Sequence, residues 1–374
     1  MALSSDANNR YPYVEGALTH YGDVSGLNDV YAYCVDLARQ YLGGRYGCVH
    51  FLSGLHTMYT VITALVPPGS RIMTLDPEDG GHYATVTICE GSGHTLSFLP
   101  FDRERLLIDY ERLADRLRQE PVDVIYVDAS SMLRFPDARA LRAAAPDTLL
   151  ILDASHLMGL LPAAPQTGVL DGGFDIIQGS THKTMPGPQK GLMVTNHEEL
   201  VRKVEARIPY TASSSHAANV GALAITLEEL LPCRLSYARQ VIANARELAG
   251  QLAGRGFGVA GEAFGWTDTH QVWLDIPAEI GPHRWGRLLK QANVRSTTVP
   301  LPSSGGLPAL RLGTQELTRV GMAEQEMAEV ANILDRILLR GENPDSVVES
   351  VTKLVTKFPE VKFIGKPGVD ESFS

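Results

Sequence analysis

Two short segments of this chain join a strand-like apolar run to chemically active side chains. In Leu149-Leu150-Ile151-Leu152-Asp153-Ala154-Ser155-His156 the run ends in a carboxylate and meets an imidazole three residues later. In Phe174-Asp175-Ile176-Ile177-Gln178-Gly179-Ser180-Thr181-His182-Lys183-Thr184 a second run ends in small polar residues and a His-Lys pair, followed by the turn Pro186-Gly187-Pro188. Taken singly, each has an ordinary explanation: Asp153 can cap a helix with His156 at the surface, and Lys183 can be a solvated loop lysine. Taken together they suit a different chemistry. A lysine held against buried surface has its charged form disfavoured and becomes a nucleophilic amine for Schiff-base chemistry. Pyridoxal phosphate attached in this way needs an acid beside its pyridine nitrogen, so that the ring stays protonated and withdraws electrons. Asp153 at one strand end and Lys183 just past the next could flank such a ring.

The remaining needs of that cofactor also find candidates. Its phosphate wants small residues and backbone N–H groups at a helix start, and Ser53-Gly54 precedes the helix-like stretch His56–Leu65. An aromatic or imidazole plane must cover the ring, and His82 in Asp79-Gly80-Gly81-His82-Tyr83 is placed for it. An amino-acid carboxylate calls for a bidentate arginine, and Arg311 lies inside the apolar run Ala309-Leu310-Arg311-Leu312, where a charge needs a partner. Other templates are absent. The chain has no GxxxxGK[ST], HExxH or GxSxG, and Gly254-Arg255-Gly256-Phe257-Gly258 has no strand before it. His20, His94 and His270 lack ligand spacing and are read as ordinary, so no metal is expected.

Strands must carry these residues to one place. Candidates are Ser70–Thr74, Thr95–Phe98, Val122–Val127, Thr148–Asp153, Phe174–Gln178 and Gly191–Thr195, separated by helix-like stretches such as Asp109–Gln119 and Asp137–Ala144. Helical crossovers imply parallel pairing, and runs apolar on both faces imply helices on both sides of the sheet. After residue 215 the pattern changes. Leu235, Ala238, Val241, Ile242, Ala245, Leu248, Ala249 and Leu252 mark one helix face; Met327, Val330, Leu334 and Ile337 mark another. A third helix is expected to open at Asn343-Pro344-Asp345, between them lie short strands at Gln271–Ile276 and Ala309–Leu312, and no internal repeat is visible. The expectation is an α/β fold with a large cofactor-binding domain over residues 1–240 and a smaller α+β domain over 241–374.

Composition narrows the partners. The 374 residues are 44% apolar and 20% charged, which supports a large core and excludes global disorder. Lys and Arg number 33 against 43 Asp and Glu, a net charge of −10 without a basic block, so neither nucleic acid nor an anionic membrane surface is an expected partner. The four cysteines, Cys34, Cys48, Cys89 and Cys233, show no disulfide or metal spacing. The first residues carry no signal-peptide pattern, and no apolar run reaches membrane-spanning length, so a cytoplasmic enzyme is expected.

In its motifs the chain resembles the serine hydroxymethyltransferases, pyridoxal-phosphate enzymes of fold type I, from about Asn9 to Phe358. Asp153-Ala-Ser-His156-Leu-Met-Gly-Leu is similar to that family's D-x-A-H-x-x-G-L, and Ser180-Thr-His182-Lys183-Thr with Gly187-Pro188 to its T-T-H-K-T-x-x-G-P. Asn9-Arg-Tyr11 with Glu15-Gly16 and Tyr21-Gly22, then Gly80-Gly81-His82, and finally Arg311-Leu-Gly-Thr314 with Thr318 and Gly321, follow in the family's order. The resemblance implies a mostly parallel sheet of the seven-stranded type, with Lys183 carrying the cofactor and Asp153 on its pyridine nitrogen. It implies further that His82 stacks on the ring, that His156 and Ser130 face its O3′ side, and that Ser53, Gly54, Ser180 and His182 belong to the binding site. Arg311 would hold the substrate carboxylate, and Glu15 and Tyr21 would reach across a homodimer, or a dimer of such dimers, to complete the neighbour's site.

Departures accompany the match. The family's N-terminal arm is expected to be missing, since the likeness begins almost at residue 9. Its S-G-S phosphate loop reads Ser53-Gly54-Leu55, its G-G-Q-G-G loop from the neighbouring subunit reads Tyr210-Thr211-Ala212-Ser213-Ser214, and its arginine after the lysine motif is Gln189. The folate-side loop reads Ser296-Thr-Thr-Val-Pro-Leu-Pro-Ser-Ser-Gly-Gly306. Cofactor machinery is kept while second-substrate machinery is altered. The expectation is aldol, retro-aldol or transaldol chemistry at Cα of a β-hydroxy-α-amino acid, independent of folate and serving specialised metabolism. The alternatives are serine hydroxymethyl transfer to tetrahydrofolate, decarboxylation with or without O2, and, last, a non-catalytic cofactor-binding partner.

Overall fold

The computed structural model describes residues 6–10 and 25–364, apart from 166, 167, 278, 279, 282 and 306. Its first nine strands are β1 (Tyr46–Phe51), β2 (Arg71–Thr74), β3 (Thr95–Phe98), the short β4 (Phe101–Asp102) and β5 (Leu107–Ile108), β6 (Val124–Val127), β7 (Leu149–Asp153), β8 (Ile176–Ser180) and β9 (Gly191–Thr195). Seven of them form one sheet in the order β1-β9-β8-β7-β6-β2-β3, with β4 and β5 paired apart. All six expected strands are present in it. The seventh, β1, went unanticipated because Gly47 and His50 interrupt its apolar run.

Side chains of one strand alternate between two cores. Leu150 and Leu152 pack with the helices Ser25–Leu42 and Ala217–Leu230, while Ile151 packs on the opposite face with Gly54–Leu65 and Glu198–Arg207. The expected parallel pairing holds for β2, β3, β6, β7 and β8. It fails at β9, which runs antiparallel to both β8 and β1. The reason is local: the stretch from Thr181 to Lys190 contains no helix and is too short for a parallel return.

Helix starts follow their caps. Ser53 Oγ accepts from His56 N at 3.1 Å at the head of Gly54–Leu65, and Asp137 Oδ1 accepts from Ala140 N at 2.9 Å at the head of Ala138–Ala144. Toward the C-terminus, β10 (Gln271–Leu274), β11 (Thr297–Pro300) and β12 (Pro308–Gly313) make an antiparallel sheet in the order β10-β12-β11. The helix Arg234–Ala253 links the two bodies: its Tyr237, Ala238 and Val241 lie in the large core, its Ala245, Leu248, Ala249 and Leu252 in the second. The proposed division near residue 240 runs through this helix. Among the described residues, no helix is long and apolar enough to cross a membrane, and no three His, Cys, Asp or Glu side chains gather as a metal site.

Candidate active site

Parallel strands that stop at one edge of a sheet leave their carboxyl ends facing a crevice. Here β7 and β8 end in Asp153 and Ser180, and Asp128 follows directly on β6. The cleft above them has a volume of about 210 Å3. Of the expected residues it brings together Ser53, Gly54, His82, Ser130, Asp153, His156, Ser180, His182 and Lys183. A larger cavity of about 600 Å3, walled by Arg105, Arg134 and Tyr110, contains none of them.

Asp153 is 7% exposed. Its Oδ1 accepts from Ser155 N at 2.9 Å, and its Oδ2 accepts from Tyr126 Oη at 3.2 Å. One side of this carboxylate is therefore anchored and the acid cannot swing away from the strand end. Lys183 stands half-buried across the cleft. Burial lowers its pKa, Asp153 opposes that shift, and the Arg311 guanidinium adds to it. Burial thus disfavours the charged form of the amine, the direction a nucleophile requires. Its loop is held from behind: Tyr237 Oη donates to Thr184 O at 2.7 Å, and Thr181 N donates to Lys190 O at 3.1 Å.

His82 caps the helix Tyr83–Gly91, its Nδ1 accepting from Ala84 N at 3.2 Å, which puts the ring proton on Nε2. Burial lowers its pKa, against Asp153 and with Lys183. His156 stacks on His270 with ring centroids 5.8 Å apart and 14° between planes. The Nδ1 atoms of both are buried without a hydrogen-bond partner. Burial, then the cations nearby, drives His156 well below the usual imidazole range and His270 to about 3. Burial thus favours the neutral form of both rings.

Arg311, in the middle of β12, reaches across from the second sheet. Its Nη1 donates to Ser130 O at 2.7 Å and to Ser131 Oγ at 3.2 Å. Among the described residues it makes no ion pair, and burial lowers its pKa. A guanidinium half-buried without a carboxylate leaves room for one from a ligand.

The site fits a planar cofactor with a phosphate tail. At Gly54 a Cβ would lie 2.8 Å from Ser180 Cβ and 2.8 Å from Ser180 N, so only glycine lets the helix start close on the strand end. Ser180 Oγ, beside that cradle, is buried and without a hydrogen-bond partner. The helix N-terminus behind Gly54 adds free backbone N–H groups. Ser213 and Ser214 do not line this cleft; their loop lies against the helix Gly54–Leu65 through Thr60 Oγ1, which donates to Thr211 Oγ1 at 3.3 Å. Glu15 and Tyr21 fall outside the described residues.

Two residues at the site had not been singled out. Asp128 lines the cleft and repeats the pattern of Asp153, an apolar run ending in an acid (Val124-Ile125-Tyr126-Val127-Asp128), so a sequence signal existed. His270 was set aside for lack of ligand spacing, and only the packing of β10 against the large body brings it to His156.

A sequence model described as serine hydroxymethyltransferase matches residues 1–334. The chain is 32% identical to a serine hydroxymethyltransferase of Korarchaeum cryptofilum, over 98% of this chain and 90% of that one. It is 35% identical to a fluorothreonine transaldolase of Streptantibioticus cattleyicolor over 89% of its own length, and spans about half (52%) of that longer relative. Its backbone superposes on the crystal structure of L-threonine transaldolase from Pseudomonas fluorescens in the internal aldimine state with a TM-score of 0.92, at 27% identity, over 99% of this chain and 87% of the other. Motif order, fold and the Gly54–Ser180 cradle converge, and the chain belongs to the serine hydroxymethyltransferase family, whose enzymes work with pyridoxal phosphate.

Proposed function

We propose that the protein is a transaldolase acting on a β-hydroxy-α-amino acid of the threonine type. The Cα–Cβ bond breaks as the β-hydroxyl loses its proton and an aldehyde departs. A new Cα–C bond then forms to a second aldehyde, whose oxygen gains a proton. The observation that carries this reading is the Lys183, Asp153 and Arg311 arrangement on a backbone that matches an L-threonine transaldolase over 99% of its length. Bound in the cleft, pyridoxal phosphate supplies an electron sink for charge developing at Cα.

The residues divide the remaining work. Lys183 would attach the cofactor through an amine whose charged form burial disfavours. Asp153 would hold the pyridine nitrogen in its charged form, His82 would cover the ring face, and Ser130 with His156 would face the ring oxygen. Ser53, Gly54 and Ser180 hold the phosphate. Arg311 would take the substrate carboxylate. Folate independence follows from the segment 296–305, where Pro300 and Pro302 remove backbone donors and no amide side chain offers a matched edge to a pterin.

We also place the active unit as a homodimer. Leu55, Tyr59, Tyr83 and Tyr210 are 50%, 42%, 75% and 74% exposed around the helix Gly54–Leu65 and the cleft mouth. Covering them with a second copy would bring its Ser213 and Ser214 toward this site, and the family resemblance gives Glu15 and Tyr21 the same role.

The test is incubation of purified protein with L-threonine and a panel of aldehydes, with and without tetrahydrofolate, read by mass spectrometry. A new β-hydroxy-α-amino acid that depends on the added aldehyde and not on folate is expected. Product only with tetrahydrofolate would make this a serine hydroxymethyltransferase, the second reading, which the 32% identity over 98% of the chain to the Korarchaeum enzyme favours.

A further inference from the structure

The end of β6 carries an acid that no role above uses. Asp128 is 2% exposed, lines the cleft, and follows Val127, whose register partner Leu152 directly precedes Asp153. Two acids thus stand side by side at neighbouring strand ends. Their surroundings differ. Asp153 accepts from Ser155 N, just past its own strand, and from Tyr126 Oη on the adjoining one. Asp128 instead binds outward: its Oδ1 accepts from Thr74 Oγ1 at 2.9 Å, and its Oδ2 accepts from Thr85 Oγ1 and from His82 N at 3.2 Å.

Those partners matter because they surround one turn. Gly80-Gly81-His82 is pressed between two backbones: a Cβ at Gly81 would sit 2.2 Å from Leu75 O, and Gly80 O accepts from Ser130 N at 2.9 Å and Ser131 N at 3.1 Å. Gly81 also bridges Ala129. The backbone fixes the turn up to Gly81, and the His82 N–H is the next donor along. Asp128 takes it. The imidazole beyond is then set by that amide, by the Ala84 N–H on Nδ1 and by the Tyr83 ring, which stacks on it with centroids 4.9 Å apart.

We propose that Asp128 is a positioning residue of the active site, which holds the His82 amide so that the imidazole keeps one plane across the cleft. The proposal rests on the reading that His82 covers the cofactor ring. Asp128 makes no contact with substrate in this scheme. Of its three donors, two are hydroxyls that can turn and accept instead; the His82 N–H can only donate. Asparagine at 128 can therefore serve with its oxygen toward His82 and its amide toward a threonine, whereas alanine leaves a buried N–H unpaired.

The experiment is a double-mutant cycle on the affinity of apoenzyme for pyridoxal phosphate, measured by absorbance titration. His82→Ala and Asp128→Ala should each weaken binding by about tenfold, the scale of one unpaired buried N–H or a lost ring contact. The double variant should be no worse than His82→Ala alone, because Asp128 acts through that ring. Asp128→Asn should stay within about twofold of the parent. Losses that add in the double variant overturn the proposal and leave the His82 reading intact. An unchanged affinity in His82→Ala removes that reading and the proposal with it. Should Asp128→Ala fail to fold, amide exchange on the parent and Asp128→Asn decides: the His82 N–H is expected to be protected in both, and exchange at the rate of an open loop in the parent overturns the proposal.

Discussion

Two lysines seven positions apart, Lys183 in the loop after β8 and Lys190 at the head of β9, meet burial in opposite ways. Burial lowers the pKa of both. Lys190 is 1% exposed, and its Nζ donates to Phe51 O at 2.8 Å and to Ser215 O at 2.7 Å. It ties the strand end before the Ser53 cradle to the loop that carries Ser213 and Ser214, and its N–H groups are spent on carbonyls. Lys183 is half-buried in the cleft, with Asp153 and Arg311 as its electrostatic neighbours. The comparison teaches that burial alone does not make a lysine reactive. What separates the two is whether the protein's own acceptors have already taken the amine.

The widest separation should come from removing each amine. Lys183→Ala is expected to lower turnover by about 1000-fold or more and to abolish borohydride fixation of the cofactor to the peptide containing residue 183. Label on Lys190 in the parent would break the distinction. Next is the charge facing Lys183. Asp153→Asn should cost about 3 kcal/mol of transition-state stabilisation, a loss near 100-fold in kcat with the fold unchanged.

Lys190 makes a comparable prediction on stability instead of rate. Its pKa falls from 10.5 to about 8 in the folded protein. The folded state therefore binds this proton less tightly than the unfolded chain, so the Lys190 contribution to stability is greatest above pH 10.5 and declines as pH falls toward 8, while the buried thiols of Cys34, Cys48 and Cys89, pushed up to about 12, act in the opposite sense above pH 9. The span is about 3 kcal/mol, flat below pH 8. Denaturant titrations of parent and Lys190→Met across that window should give a stability difference that shifts in the parent's favour as pH rises; a difference that stays constant with pH would place the titration elsewhere. The smallest effect sharpens the active lysine. Arg311→Lys keeps a cation but loses the two-pronged contact, so KM for the amino acid should rise by about tenfold with kcat little changed. Arg311→Met should also raise the Lys183 pKa, moving the acid limb of the pH–rate profile upward.

Much of this site could be read before any coordinates. Asp153, Lys183, Ser53-Gly54 and His82 each sit where a strand or turn gives way to a helix or loop, and such junctions leave a local pattern. Five of the six apolar runs became strands because residues buried on both faces admit few alternatives; β3, at the sheet edge, is only partly buried. Direction was less legible. Nothing in Gly191–Thr195 itself says antiparallel; only the length and turn content of the preceding stretch do. The strand Tyr46–Phe51 was invisible because its glycine and histidine are tolerated at a sheet edge.

What the amino-acid order by itself determined is the inventory and its punctuation: strand ends bearing acids, a lysine hemmed in by a Pro-Gly-Pro turn, caps that start helices on time. These are contacts within a few residues, and local sterics and hydrogen bonding settle them. Only the tertiary structure decided which acid does which work. Asp128 and Asp153 follow the same kind of run, yet one turns to the His82 amide and the other to Tyr126, because different elements pack over each strand end. The same holds for His270, 114 positions from His156 in sequence (270 − 156) and stacked on it in space. Long-range packing has no local signature, since its free energy comes from the area two distant surfaces bury together.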